Sequence, residues 1–127
     1  MEWTRLPQMS RREAIWRSLT DPEYRRAWAA EHGVGLAFQI RALREARGWT
    51  QTDLANKTGI SRATISRWED PGYGRYTLST LDSLAAAFDV GLMVRFAPFS
   101  DLIDWNVNLS AETLAPPEFR GALRGGV

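Results

Sequence analysis

The stretch Thr50–Asp70, TQTDLANKTGISRATISRWED, constrains this chain more than any other. Thr50 and Ser61 are helix N-cap residues, with Asp53 as the short acidic counterpart three residues after the first. Gly59 ends the first helix at a position that favours a residue tolerant of positive φ. Leu54, Ala55 and Thr58 face inward from the first helix. Ile60, Ile65 and Trp68 are the apolar anchors of the second, and Ala55 is small where the two must approach. The outward set is then Ser61, Arg62, Thr64 and Arg67, with Ala63 among them. That face is either merely wet or able to reach the edges of base pairs.

The surrounding chain supplies the scaffold. From Leu36 the helical period is clean, with Leu36, Ile40, Leu43 and Ala46 on one face and Gly48 as its stop. Asp70-Pro71-Gly72-Tyr73-Gly74 is a loop by composition. A further helix is expected from about Leu78 to Phe88. Leu92, Val94 and Phe96 then alternate with Gly91, Met93 and Arg95, which predicts a half-buried strand. Ser100 begins a short helical turn through Leu102, Ile103 and Trp105. Pro116-Pro117 and the GALRGGV ending read as a mobile tail. Upstream, residues 1–9 are irregular, Ser10 and Glu13 suggest a capping box, and Ile15, Trp16 and Leu19 form a stripe. Asp21-Pro22 starts a second helix with Tyr24, Trp28 and Ala29 on its buried edge, and Gly33 and Gly35 interrupt or bend the pattern after it. The expected division is an N-terminal helical extension (1–33), the two-helix motif in its domain (34–90), a strand and short helix (91–105) and a flexible tail (106–127).

Composition narrows the function classes. The 127 residues include no cysteine, so disulfides, thiolate zinc sites and cysteine nucleophiles are excluded. No apolar run approaches the roughly 20 residues that span a bilayer, and the N-terminus lacks a signal-peptide core; no membrane is implied, and a cytoplasmic protein is expected. His32 is the single histidine and has no neighbouring nucleophile, Asp101 and Asp104 lack a third ligand, and Gly72 and Gly74 lack the strand–glycine–helix setting of a phosphate loop. Neither an enzyme nor a cofactor is indicated. The net charge is +1, but residues 1–75 hold thirteen basic and nine acidic residues, while 76–127 hold three and six. A basic front half suits a polyanion.

A helix-turn-helix places its second helix in the major groove while the first crosses the phosphate backbone. The small residue, the turn glycine, the anchors and the long polar outward face all meet that geometry within one window. Residues 36–88, above all TQTDLANKTGISRATISRWE, resemble the helix-turn-helix domain of the Xre family, the Cro and phage-repressor type. The resemblance implies an all-α, lambda-repressor-like fold: a compact five-helix domain, here with the N-terminal extension and the short C-terminal β-strand added. It implies that Gln51 touches phosphate and braces the residue after the turn. Ser61, Arg62, Ala63, Thr64 and Arg67 fall on positions that meet bases or flanking phosphates, and Arg44 and Glu69 on a structural ion pair between helices. The DPGYGRYT loop is longer than the family's usual turn. Arg62 and Arg67 can each grip guanine O6 and N7, and Ala63 can touch a thymine methyl. Gln51, Thr64 and Arg75 would hold phosphates; Arg75, between Tyr73 and Tyr76, is either a phosphate clamp or an exposed loop residue.

The function expected is therefore a double-stranded-DNA-binding transcriptional regulator, a repressor acting as a homodimer on a palindromic operator. GLMVRFAPFSDLIDW is the candidate dimerisation element, unless it folds back on its own helices. LTDPEYRRAWAAEHGVGLAFQIRALRE is also similar to the lead-in of HigA-type antitoxins. That similarity implies an alternative, an antitoxin that binds a toxin protein and represses its own operon, with Trp16 and Trp28 facing the partner.

Overall fold

The computed structural model describes residues 9–120, the side chains of 32–34 excepted. The irregular segment expected at the N-terminus and the GALRGGV ending thus lie almost wholly outside the described residues. Two compact units are present. One joins the chain as far as Ala30 to Phe96–Leu109; the other joins Glu31–Arg95 to the chain from Ser110 onward.

In the first unit, α1 (Arg11–Ser18) begins at Ser10, whose hydroxyl accepts from the Glu13 N–H. α2 (Pro22–Ala29) begins at Asp21 with proline at its first position. α7 (Phe99–Val107) packs against α1. Leu19 and Ile103 are this unit's buried side chains among the described residues. Trp28 tilts against Phe99 with centroids 6.5 Å apart, Arg12 pairs with Asp104, and Arg11 donates to the Asn106 side chain at 3.2 Å. Leu102, Ile103 and Trp105 therefore belong to a helix folded onto the N-terminal helices. Trp16 and Tyr24, expected on buried edges, remain 42% and 49% exposed.

The second unit is built on α3 (His32–Ala46), α4 (Gln51–Thr58), α5 (Arg62–Trp68) and α6 (Leu78–Phe88). Helix α3 starts before Leu36 and runs through Gly33 and Gly35, so those glycines do not interrupt it. α4 packs on α5 and α6, and α3 packs on α6. Their shared core is Ile40, Leu43, Leu54, Ala55, Ile65, Trp68, Leu84 and Phe88. Trp49 seals one side by stacking on Phe88, with centroids 5.8 Å apart and planes 13° apart. Between Leu36 and Phe88 there are thus four helices rather than five.

The chain around this core departs from expectation in two places. No strand forms among the described residues: 90–98 is irregular, and Met93, Val94 and Phe96 are 81%, 65% and 105% exposed. The physical reason is that a strand needs a hydrogen-bonding neighbour, and this helical chain offers none. The segment expected as a tail divides. Asn106 and Val107 belong to the end of α7, and α8 (Ala111–Leu114) packs on α3. The Phe119 N–H then donates to the Asp89 carbonyl at 2.9 Å. Arg47 fastens this return: its Nη2 donates to the carbonyls of Phe88 (2.8 Å) and Pro116 (3.2 Å). One cation thus satisfies the C-terminus of α6 and holds the proline segment beside it.

Candidate nucleic-acid interface

The two helices of the motif are set by local chemistry. Helix α4 carries a full capping box, in which the Thr50 hydroxyl accepts from the Asp53 N–H at 3.0 Å and the Asp53 carboxylate from the Thr50 N–H at 2.8 Å. Hydrogen bonding from Thr50, its backbone N–H first, holds the Asp53 carboxylate pKa below its usual value. Gly59 closes α4 at φ +73°, where its N–H donates to the Ala55 carbonyl at 2.9 Å. A Cβ there would meet nothing within 4 Å, so backbone conformation rather than space calls for glycine. The Thr58 hydroxyl donates back to Leu54 and accepts from the Ile60 N–H, which stiffens the turn.

Helix α5 starts at Ser61 with its orientation fixed by burial. Ile65 is fully buried and Trp68 is 6% exposed. Arg62, Ala63 and Arg67 are exposed, and Thr64 is half-buried. Ala63 and Arg67 lie one turn apart along the outer face, as do Arg62 and Ser66. Ser66, also exposed, shares this face although its residue type alone does not single it out. The Ser61 hydroxyl accepts from the Thr64 N–H at 3.2 Å and contacts the Thr64 hydroxyl at 2.9 Å, so Ser61 caps the helix before it can do anything else. Gln51 is the half-buried first residue of α4, at a helix end whose free N–H groups favour an anion. Lys57 is held over the Trp49 ring at 4.5 Å.

Arg44 and Glu69 meet between α3 and the end of α5. Arg44 Nε donates to Glu69 Oε2 at 2.7 Å and Nη2 to Oε1 at 2.9 Å, a two-pronged pair. Arg44 Nη1 also donates to the Trp49 carbonyl at 2.8 Å. The hydrogen bond to Glu69 outweighs desolvation and raises the guanidinium pKa above its ordinary value. The pair thereby ties α5 to α3 and to the turn before α4.

Arg75 is exposed in the loop after α5. Its neighbour Tyr76 has no role that sequence reasoning assigns, yet its hydroxyl donates to the Trp68 carbonyl in the last turn of α5. The repeated aromatic in the YGRY stretch is the one signal that points to it.

This geometry is matched by known proteins. The helix-turn-helix family model HTH_3 covers residues 40–93. A Neisseria meningitidis protein named a hypothetical transcription factor is 30% identical over 86 residues, 68% of this chain and 79% of its own length. The chain belongs to the Xre-type helix-turn-helix family. It is also similar to the antitoxin HipB of Escherichia coli K12, 49% identical over 35 residues, which is 28% of this chain and 40% of that protein. The chain thus spans about two fifths of the HipB length. The antitoxin likeness found is to HipB, where the sequence suggested the HigA type. No solved structure matches the chain.

Proposed function

We propose that the protein is a sequence-specific regulator that binds double-stranded DNA and represses transcription by occupying a palindromic operator. The single observation that carries this reading is the orientation of α5. Ile65 and Trp68 are buried beneath it, which leaves Arg62, Ala63, Ser66 and Arg67 on one solvent face. In that placement Arg62 and Arg67 read guanines, Ala63 touches a thymine methyl, and Gln51, Thr64 and Arg75 hold phosphates. Ser61 contributes mainly by setting the helix N-terminus. Two copies would present two such helices to half-sites about 34 Å apart.

The test is selection of bound duplexes from a random pool at two salt concentrations. An enriched palindrome is expected. Binding without enrichment that falls steeply with salt would sink the reading and leave a nonspecific polycation.

The likeness to HipB favours a second reading on the same fold, an antitoxin that also binds a toxin protein. It predicts that a co-expressed toxin copurifies in fixed stoichiometry while operator binding persists.

A further inference from the structure

We propose that the N-terminal helical unit carries a small-molecule site, a notch that takes a planar aromatic ring bearing a short carboxylate side chain, with Arg25 as its anion-binding residue. The notch has a volume of about 370 Å³ and is lined by Trp16, Leu19, Thr20, Arg25 and Phe99. All five belong to the unit built from the chain as far as Ala30 and Phe96–Leu109. None lies in α4 or α5, so the inference stands apart from the DNA-binding reading. A cavity of this size, mainly apolar with one charged group to orient its occupant, has the make-up of a ligand pocket.

Three helices supply the walls. Trp16 lies near the end of α1, Leu19 is the residue that caps it, and Thr20 follows. Arg25 stands in α2, and Phe99 begins α7. α7 packs on α1, and Trp28 backs the Phe99 ring. Leu19 is buried, whereas the Trp16 side chain is left partly open to water. Trp16 and Phe99 thus offer ring surface that a planar apolar group would cover.

Arg25 supplies the charge. It is half-buried, and its Nη1 donates to the Leu19 carbonyl at 3.1 Å, which fixes the guanidinium at the end of α1. Among the described residues it makes no ion pair. A guanidinium has five N–H donors in a planar fork, so one hydrogen bond leaves donors for a ligand. The other polar groups nearby are already engaged. The Thr20 hydroxyl donates to the Arg17 carbonyl at 2.7 Å, and the Asp21 carboxylate accepts from the Glu23 N–H at 3.1 Å. A partly dehydrated guanidinium held among aromatic side chains is complemented by a carboxylate, which can accept two parallel charge-assisted bonds. With one cation in the lining, a single negative charge is the match. Because Arg25 is already held, little ordering is needed on binding.

The experiment titrates phenylacetate into the full chain without DNA, by calorimetry and by tryptophan emission. Saturable binding with a Kd of about 1 mM or below is expected. Phenylacetamide, of the same shape without the charge, and acetate, with the charge but no ring, should each bind at least about tenfold more weakly. Arg25→Gln should weaken phenylacetate by a similar factor, with Arg25→Lys retaining part of the affinity. Trp16→Phe keeps a ring in the wall, so its calorimetric affinity should stay close to wild type while most of the emission change disappears. Circular dichroism melts set a temperature at which every variant is folded, and the comparison of phenylacetate with phenylacetamide needs no variant at all. No saturable binding of phenylacetate overturns the site. Equal affinity for phenylacetamide, or for phenylacetate in Arg25→Gln, overturns the role of the guanidinium. An emission change that persists in Trp16→Phe places the ligand elsewhere and overturns the notch. Each of these failures leaves the DNA-binding reading standing.

Discussion

At Glu69 a carboxylate only 5% exposed faces a guanidinium 13% exposed, and both oxygens accept hydrogen bonds from it. The charges neutralise each other in a place where neither is fully hydrated. Glu69→Gln is expected to lower stability by about 3 kcal/mol, the lower end of the range for breaking a buried pair, because Arg44 keeps some contact with water. Urea denaturation of both proteins measures this. The double replacement Arg44→Met/Glu69→Leu should recover much of the loss, since it leaves no uncompensated charge. A loss under about 0.5 kcal/mol for Glu69→Gln would mean that the pair behaves like a surface one. Tyr76 carries a pH signature of opposite origin. Its folded pKa is raised from the ordinary 10.0 to about 12, so the folded state holds a proton that the unfolded state releases first. The contribution is therefore fully present below pH 10 and is lost as pH rises towards 12. Unfolding midpoints measured from pH 8 to 12 should fall more steeply for wild type than for Tyr76→Phe. Parallel curves would show that the phenol's burial is unimportant to folding.

Among the elements, α4 and α5 are legible in the sequence because their signals are local. A capping box, a turn glycine and a second cap mark the boundaries, and spacing alone assigns Leu54, Ala55, Ile65 and Trp68 to the inside. The start of α3 is not legible: Gly33 and Gly35 weaken a helix by about 1 kcal/mol each relative to alanine, yet the helix begins at His32. The strand expectation fails because Leu92, Val94 and Phe96 alternate as a half-buried strand does, while pairing requires a second strand that no periodicity can supply. The docking of 110–119 depends on Arg47 reaching Pro116, 69 residues away, and composition is silent about such contacts. The outer face of α5 is readable by subtraction, except Ser66, whose place comes only from the helix period. For this element the sharpest test is Arg62→Ala. It should lose preference at one base step, at a cost of about 1–3 kcal/mol on the preferred site. Binding to unrelated duplexes should change little. Equal weakening on every sequence would show that Arg62 holds a phosphate instead.

At the scale of the whole molecule, the exposed run from Leu92 to Phe96 is the feature a single chain leaves unexplained. Its backbone has no ladder, and Met93, Val94 and Phe96 present apolar surface to water. A β-prone segment that exposes apolar side chains can be covered by its own copy, which would also bring two copies of α5 together. The repressor reading needs that second copy, because linking two half-site contacts raises avidity by roughly 100- to 10,000-fold without any new contact to DNA. Wild type is therefore expected to sediment as a dimer at micromolar concentration. Val94→Pro, which removes a donor and fixes φ in the middle of the segment, should sediment as a monomer with an unchanged helical spectrum. On a full palindrome its affinity should drop by at least roughly 100-fold, while its affinity for an isolated half-site should match wild type. A Val94→Pro protein that remains dimeric would move the interface elsewhere. A monomeric wild type that still binds the palindrome tightly would remove the need for one.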